Sequence, residues 1–132
     1  MYIALMAHDN KKELMAQFCI AYKSILAQHD LRATRRTGIM IAEAAALDIQ
    51  FLLSGTLGGL EQISSQVAFN ELDLVMFFLD PKNPKYSEDL SQISRMCDEY
   101  SIPFATNVAT AEVLIHGLER GDLAWRDIIR RR

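Results

Sequence analysis

Apolar residues fall alternately into short unbroken runs and into stretches with a helical period along the whole chain. Residues 2–7 (YIALMA) read as a buried strand that ends at the polar break His8-Asp9-Asn10. From residue 11 to about 28, Leu14, Met15, Phe18, Cys19, Tyr22, Ile25 and Leu26 recur three and four apart, which places them on one face of a helix. Residues 31–34 form a short strand, and Arg35-Arg36-Thr37-Gly38 turns the chain into an alanine-rich helix ending near residue 46. A third apolar run covers residues 48–53 and closes at Ser54-Gly55; Gly58-Gly59 then leads into a helix from about 61 to 70. Residues 74–79 (LVMFFL) give the clearest strand, apolar on both faces as in a parallel sheet covered by helices. Two prolines and an Asp-Pro step make residues 80–84 a loop. A helix from 87 to about 100, a fifth strand at 103–106, a helix at 109–118 and a basic helical tail from 124 complete the pattern.

This alternation over 132 residues predicts an α/β fold, a doubly wound three-layer sandwich of about five parallel strands in a single domain spanning 1–132. Such sheets bind ligands beyond the carboxyl ends of their strands, where the strand order reverses, so the residues just after each strand carry the functional information.

Composition narrows the classes. Half the residues are hydrophobic and 23% are charged, ordinary for a globular protein able to bury roughly two-thirds of its unfolded surface. A net charge of −3 argues against a broad nucleic-acid-binding face, leaving Arg35-Arg36 and the tail Arg130-Arg131-Arg132 as local basic spots. Cys19 and Cys97 stand far apart, without CxxC spacing or a histidine cluster, and are expected to be buried reduced thiols with no metal site. The methionines fall mostly in apolar runs and are expected in the core, while Trp125 fits a subunit contact or a plain amphipathic end helix. The opening strand has no basic leader, and no apolar stretch approaches the roughly 18 to 20 residues of a membrane span, so the expected compartment is the cytoplasm.

Polar residues collect at the strand ends: His8, Asp9 and Lys12 after the first, Thr34, Arg35, Arg36, Thr37 and Gly38 after the second, Ser54, Gly55 and Gly58-Gly59 after the third. Asp80 follows the fourth, and Thr106, Asn107 and Thr110 the fifth. Each hydroxyl or amide taken alone fits a helix cap. Taken together, with glycines that admit the backbone closely and a lysine to balance charge, they describe an anion site at helix N-termini.

These residues carry a likeness. Residues 3–9 (IALMAHD) with Lys12 resemble the opening of the methylglyoxal synthase family; Ala33-Thr34 with Thr37-Gly38 resembles its phosphate loop, and Leu53-Ser54-Gly55 with Gly58-Gly59 its glycine-rich turn. Residues 77–81 (FFLDP) match its fourth strand and loop, and 102–111 (IPFATNVATA) a further family stretch, all in one register from Tyr2 to about Ile115. The resemblance implies a homohexameric lyase, free of metal and organic cofactor, that turns dihydroxyacetone phosphate into methylglyoxal and inorganic phosphate. In that chemistry a carboxylate removes a carbon-bound proton to give an enediolate, which expels phosphate. It also implies contacts to the substrate or phosphate from His8, Lys12, Thr34, Arg35, Arg36, Thr37, Ser54 and Gly55. The related fold serves as a regulatory ligand-binding domain in carbamoyl phosphate synthetases, so fold alone does not imply the lyase.

Three departures qualify the likeness. Where the family carries its aspartate base after the glycine pair, this chain has Leu60, which cannot hold a proton. Residues 82–89 contain no histidine where the family keeps one, and the segment is about one residue shorter. Arg35 and Arg36 replace small residues in the phosphate loop, either narrowing the site, strengthening anion binding, or pointing to solvent or across a subunit contact. Three readings follow: Glu61 takes over as base, although one residue along a helix turns it about 100° away; Asp9, Asp80 or Asp89 does so; or the protein keeps an anion pocket for a phosphorylated metabolite or inorganic phosphate and has lost the lyase activity.

Overall fold

Five parallel strands lie side by side in a computed structural model that describes residues 1–130, without the Arg130 side chain. The expectation for Arg131 and Arg132 in the basic tail lies outside the described residues. The strands are β1 (Tyr2–Ala7), β2 (Asp30–Thr34), β3 (Ile49–Leu52), β4 (Leu74–Phe78) and β5 (Phe104–Ala105), in the order β3-β2-β1-β4-β5. The register sets Ile3 opposite both Leu31 and Leu74, and Ala7 opposite Phe78. Strand order reverses between β1 and β4, so the segments leaving these two strands open a crevice between them.

Alternation along the strands divides the core in two. Ile3, Leu5, Met76 and Phe78 pack on one face against α1 (Lys12–Ala21), α3 (Arg35–Ala45) and α6 (Val108–Arg120) through Met15, Phe18, Ile41 and Ile115. Ala4, Met6, Val75 and Phe77 pack on the other against α4 (Gly59–Ala68) and α5 (Tyr86–Tyr100) through Leu60, Ile63, Ile93 and Cys97. Helices on both faces make the three layers that the apolar β4 sequence implied. No helix among the described residues is long and apolar enough to cross a membrane.

Two elements differ from expectation. The helix expected over 11–28 is divided at Tyr22, whose backbone (φ −110°, ψ 24°) leaves the helical region between α1 and the short α2 (Lys23–Leu26). The Tyr22 ring there packs against both Phe18 and His116. The fifth strand is two residues rather than four, since Pro103 has no N–H to donate at this edge position. Its pairing still runs on, with Val75 N–H donating to the Pro103 carbonyl and Leu79 N–H to that of Thr106.

The tail is anchored by a charge that the sequence did not single out. Arg126, on α7 (Trp125–Arg130), is 6% exposed and donates to Asp73 Oδ1 at 3.0 Å, and also to Ser101 O, Asn70 Oδ1 and Leu72 O. Trp125 stays half exposed with the Arg126 guanidinium over its ring.

Candidate active site

At the crevice the chain leaves β1 through His8, whose buried ring is held at both nitrogens. Nδ1 accepts the Asp80 N–H at 2.8 Å, and Nε2 lies 2.9 Å from Asp89 Oδ2. The His8 and Phe77 rings stand nearly perpendicular, 5.2 Å between centroids. Both ring nitrogens are thus engaged within the protein in this arrangement.

One turn on, Lys12 Nζ donates to the Ala7 carbonyl at 2.7 Å and to Asp9 Oδ1 at 2.9 Å. That hydrogen bond and the ammonium charge hold the Asp9 carboxyl below its ordinary range, with Arg36 adding to the effect.

Thr34 and Ser54 both sit in extended backbone just before a helical turn, and neither side chain caps it. Asn107 does cap: its Oδ1 accepts the Thr110 N–H at 3.0 Å. The capping reading thus fits the fifth strand end, while the first-turn amides of α3 lack a side-chain partner from Thr34. Thr37 is buried, and its hydroxyl has no hydrogen-bond partner among the described residues.

The glycine-rich turn is shaped by close approach. A Cβ at Gly59 would come within 2.3 Å of the Leu53 carbonyl oxygen and 2.9 Å of that of Ser54. Gly58 takes φ +106°, left-handed backbone that favours glycine, so the chain can reverse into α4. Gly38, by contrast, admits the Phe51 ring of β3, which a Cβ would meet at 2.6 Å; it serves packing.

These segments enclose a cavity of about 180 Å³. From the expected set it is lined by His8, Asp9, Lys12, Thr34, Arg36, Ser54, Gly55, Glu61 and Asp89. Leu60 lines it too, 7% exposed, and shares an apolar floor with Met6 and Phe77. Arg35, Thr37 and Asp80 lie outside its wall: Arg35 is exposed, and Asp80 turns its Oδ1 to the Lys82 N–H at 3.0 Å. The carboxylates therefore differ in setting. Asp9 is tied to Lys12, Glu61 is exposed, and Asp89 is buried in the wall at 7% exposure.

The lining also includes Thr56, Asn83, Lys85, Glu88 and Gln92, none of which was singled out from sequence. Asn83 and Lys85 belong to the loop after β4, and following that strand end beyond Asp80 would have reached them. Glu88 adjoins Asp89 and Gln92 lies three residues beyond it on α5, so helical spacing from Asp89 would have found Gln92. Lys85 and Arg36 form no ion pair among the described residues, and no group of three or more His, Cys, Asp or Glu residues there is placed to hold a metal ion.

Comparison with known proteins places the chain in a family. The family model described as the MGS-like domain matches residues 15–106. A methylglyoxal synthase of Caldicellulosiruptor saccharolyticus is 53% identical over 130 residues, covering 98% of this chain and 92% of that protein. One from Geobacillus sp. (strain WCH70) is 52% identical over 133 residues, covering 100% of this chain and 95% of its own. The crystal structure of methylglyoxal synthase from Elizabethkingia anophelis NUHP1 superposes with a TM-score of 0.80 at 32% identity, covering 86% of this chain and 76% of that one. With sheet, helices and sequence over nearly the whole chain in agreement, the chain belongs to the MGS-like family, the family of the methylglyoxal synthases it resembles.

Proposed function

We propose that this chain is a methylglyoxal-synthase-type lyase that eliminates phosphate from dihydroxyacetone phosphate or a related triose phosphate. The observation that carries this reading is one small cavity holding an anion-binding set (Lys12, Thr34, Ser54, Gly55 and Arg36) beside a buried carboxylate, Asp89. The hydroxyls, backbone amides and cations suit a phosphate group. The carboxylate suits removal of a proton from carbon next to a carbonyl. The reading takes the protein as a single cytoplasmic domain without metal or organic cofactor, and as a homo-oligomer, hexameric by the resemblance. Exposed Phe69, Trp125, Ile128 and Ile129 offer apolar surface for the assembly, and the mass in solution measures it. The test of activity is direct: purified protein given dihydroxyacetone phosphate is expected to release phosphate and methylglyoxal in equal amounts. No release at high enzyme concentration sinks the proposal.

Leu60 favours a second reading. An apolar floor where the family has its base suits a relative that holds a phosphorylated metabolite without turning it over. Ligand would then raise the melting temperature with no product formed. In that case Leu60→Asp is expected to bring phosphate release where the parent has none.

A further inference from the structure

The hydrogen bonds around His8 fix where its proton sits, and so point to the group that takes the substrate proton. An amide N–H only donates, so His8 Nδ1, 2.8 Å from the Asp80 nitrogen, must present a lone pair. The single proton of the neutral ring is then on Nε2, and Asp89 Oδ2 accepts it at 2.9 Å. Reversing that bond would require an imidazolate. Adding a proton at Nδ1 would set two N–H groups against each other. His8 is therefore committed as a neutral donor, and its partner Asp89 as an acceptor.

Asp89 Oδ1 has no hydrogen bond among the described residues, and the residue lines the cavity while 7% exposed. Its competitors are less suited. Lys12 occupies Asp9, Asp80 lies outside the wall, and Glu61 and Glu88 are exposed.

We infer that Asp89 Oδ1 takes the carbon-bound proton in this chain, and that His8 is a positioning residue that aims Asp89 from a tautomer fixed by the Asp80 amide. The inference rests on the lyase reading above. In the step, the proton of the hydroxymethyl carbon passes to Asp89 and its electron pair becomes a carbon–carbon double bond, while the carbonyl oxygen takes up charge and then a proton. The hydroxyl on the first carbon next loses its proton and becomes an aldehyde. The double bond shifts, and the bond from carbon to phosphate oxygen breaks with its electron pair on phosphate. The enol left behind gains a proton from water at its CH2 end and gives up its hydroxyl proton to give methylglyoxal, and Asp89 passes the proton it took to the departing phosphate. His8 gains and loses no proton throughout.

The test uses full-length protein, dihydroxyacetone phosphate and deuterated water, following both carbon-bound hydrogen exchange and phosphate release. Asp89→Asn is expected to lower both by about 100-fold or more, the scale of a lost general base. His8→Ala is expected to fall by a similar factor. His8→Gln, whose amide can donate to Asp89 and accept from Asp80, should stay within about tenfold of the parent if donation is all that His8 supplies. Nitrogen NMR of the parent should show His8 with its proton on Nε2. If His8→Gln falls as far as His8→Ala, or NMR finds the proton on Nδ1, the positioning role is overturned. If the parent exchanges and eliminates while Asp89→Asn still exchanges, the base assignment fails and the lyase reading stands. A parent inert in both assays overturns both.

Discussion

Replacing Gly59 by alanine sets a methyl carbon 2.3 Å from the Leu53 carbonyl oxygen, 2.9 Å from that of Ser54 and 2.9 Å from Thr34 Cγ2. Two of these neighbours are backbone. The Ser54 carbonyl already accepts the Leu57 and Gly59 N–H groups at 2.9 Å each, so it cannot retreat without giving those up. Overpacking commonly costs about 1–3 kcal/mol, and contacts this short with backbone place Gly59→Ala at the upper end, about 3 kcal/mol. The neighbouring glycines provide internal controls. A Cβ at Gly58 meets nothing closer than 3.5 Å, so Gly58→Ala carries only the left-handed backbone cost, about 1 kcal/mol. A Cβ at Gly55 meets nothing within 4 Å, so Gly55→Ala should change stability by less than about 0.5 kcal/mol. Urea unfolding followed by circular dichroism, at one fixed protein concentration, should rank the midpoints Gly55→Ala, Gly58→Ala, Gly59→Ala from highest to lowest. A Gly59→Ala midpoint as high as that of Gly55→Ala would refute close approach as the reason for glycine at that position.

Arg126→Ala removes the guanidinium from buried Asp73 and is expected to cost about 3 kcal/mol in the same unfolding assay; a loss below about 1 kcal/mol would mean α7 is not anchored there. Burial pushes the Cys19 and Cys97 thiols up to about 12, so iodoacetamide at pH 8 should label neither until the protein is unfolded. The Asp9 carboxyl titrates lower folded than unfolded, so its contribution is complete above the ordinary aspartate value near about 4 and is lost as pH falls through the lowered one. Asp9 is exposed, so Asp9→Asn should lower stability at pH 6 by less than about 1 kcal/mol, with the difference vanishing in strong acid; melting curves across pH check this.

The fold was legible because its signals are local and periodic. Residues 74–79 read as a doubly buried strand and give β4, and strand–helix alternation yielded the parallel sheet and its layers. The helix break at Tyr22 was not legible, since apolar spacing continues through residues 22–26 while the backbone does not. Rules about strand ends brought Lys12, Thr34 and Ser54 into one cavity, since Thr34 ends β2, Ser54 lies two residues past β3 and Lys12 opens the helix that follows β1. The same rules left out Lys85 and Gln92, which arrive through loop length and helix phase. Arg126 fell within the basic helical tail from 124 and was not singled out; its burial depends on Asp73, 53 residues away in sequence, a pairing that no local pattern encodes.

The proposed chemistry is triose phosphate elimination through Asp89, in a cavity also lined by Lys12, Thr34, Ser54 and the apolar Leu60. Phosphate release from dihydroxyacetone phosphate, compared between the parent protein and Asp89→Asn, tests that claim most directly. Release by the parent, matched one to one by methylglyoxal, and a fall of about 100-fold or more in the variant are expected. A parent that binds dihydroxyacetone phosphate yet releases no phosphate would contradict it.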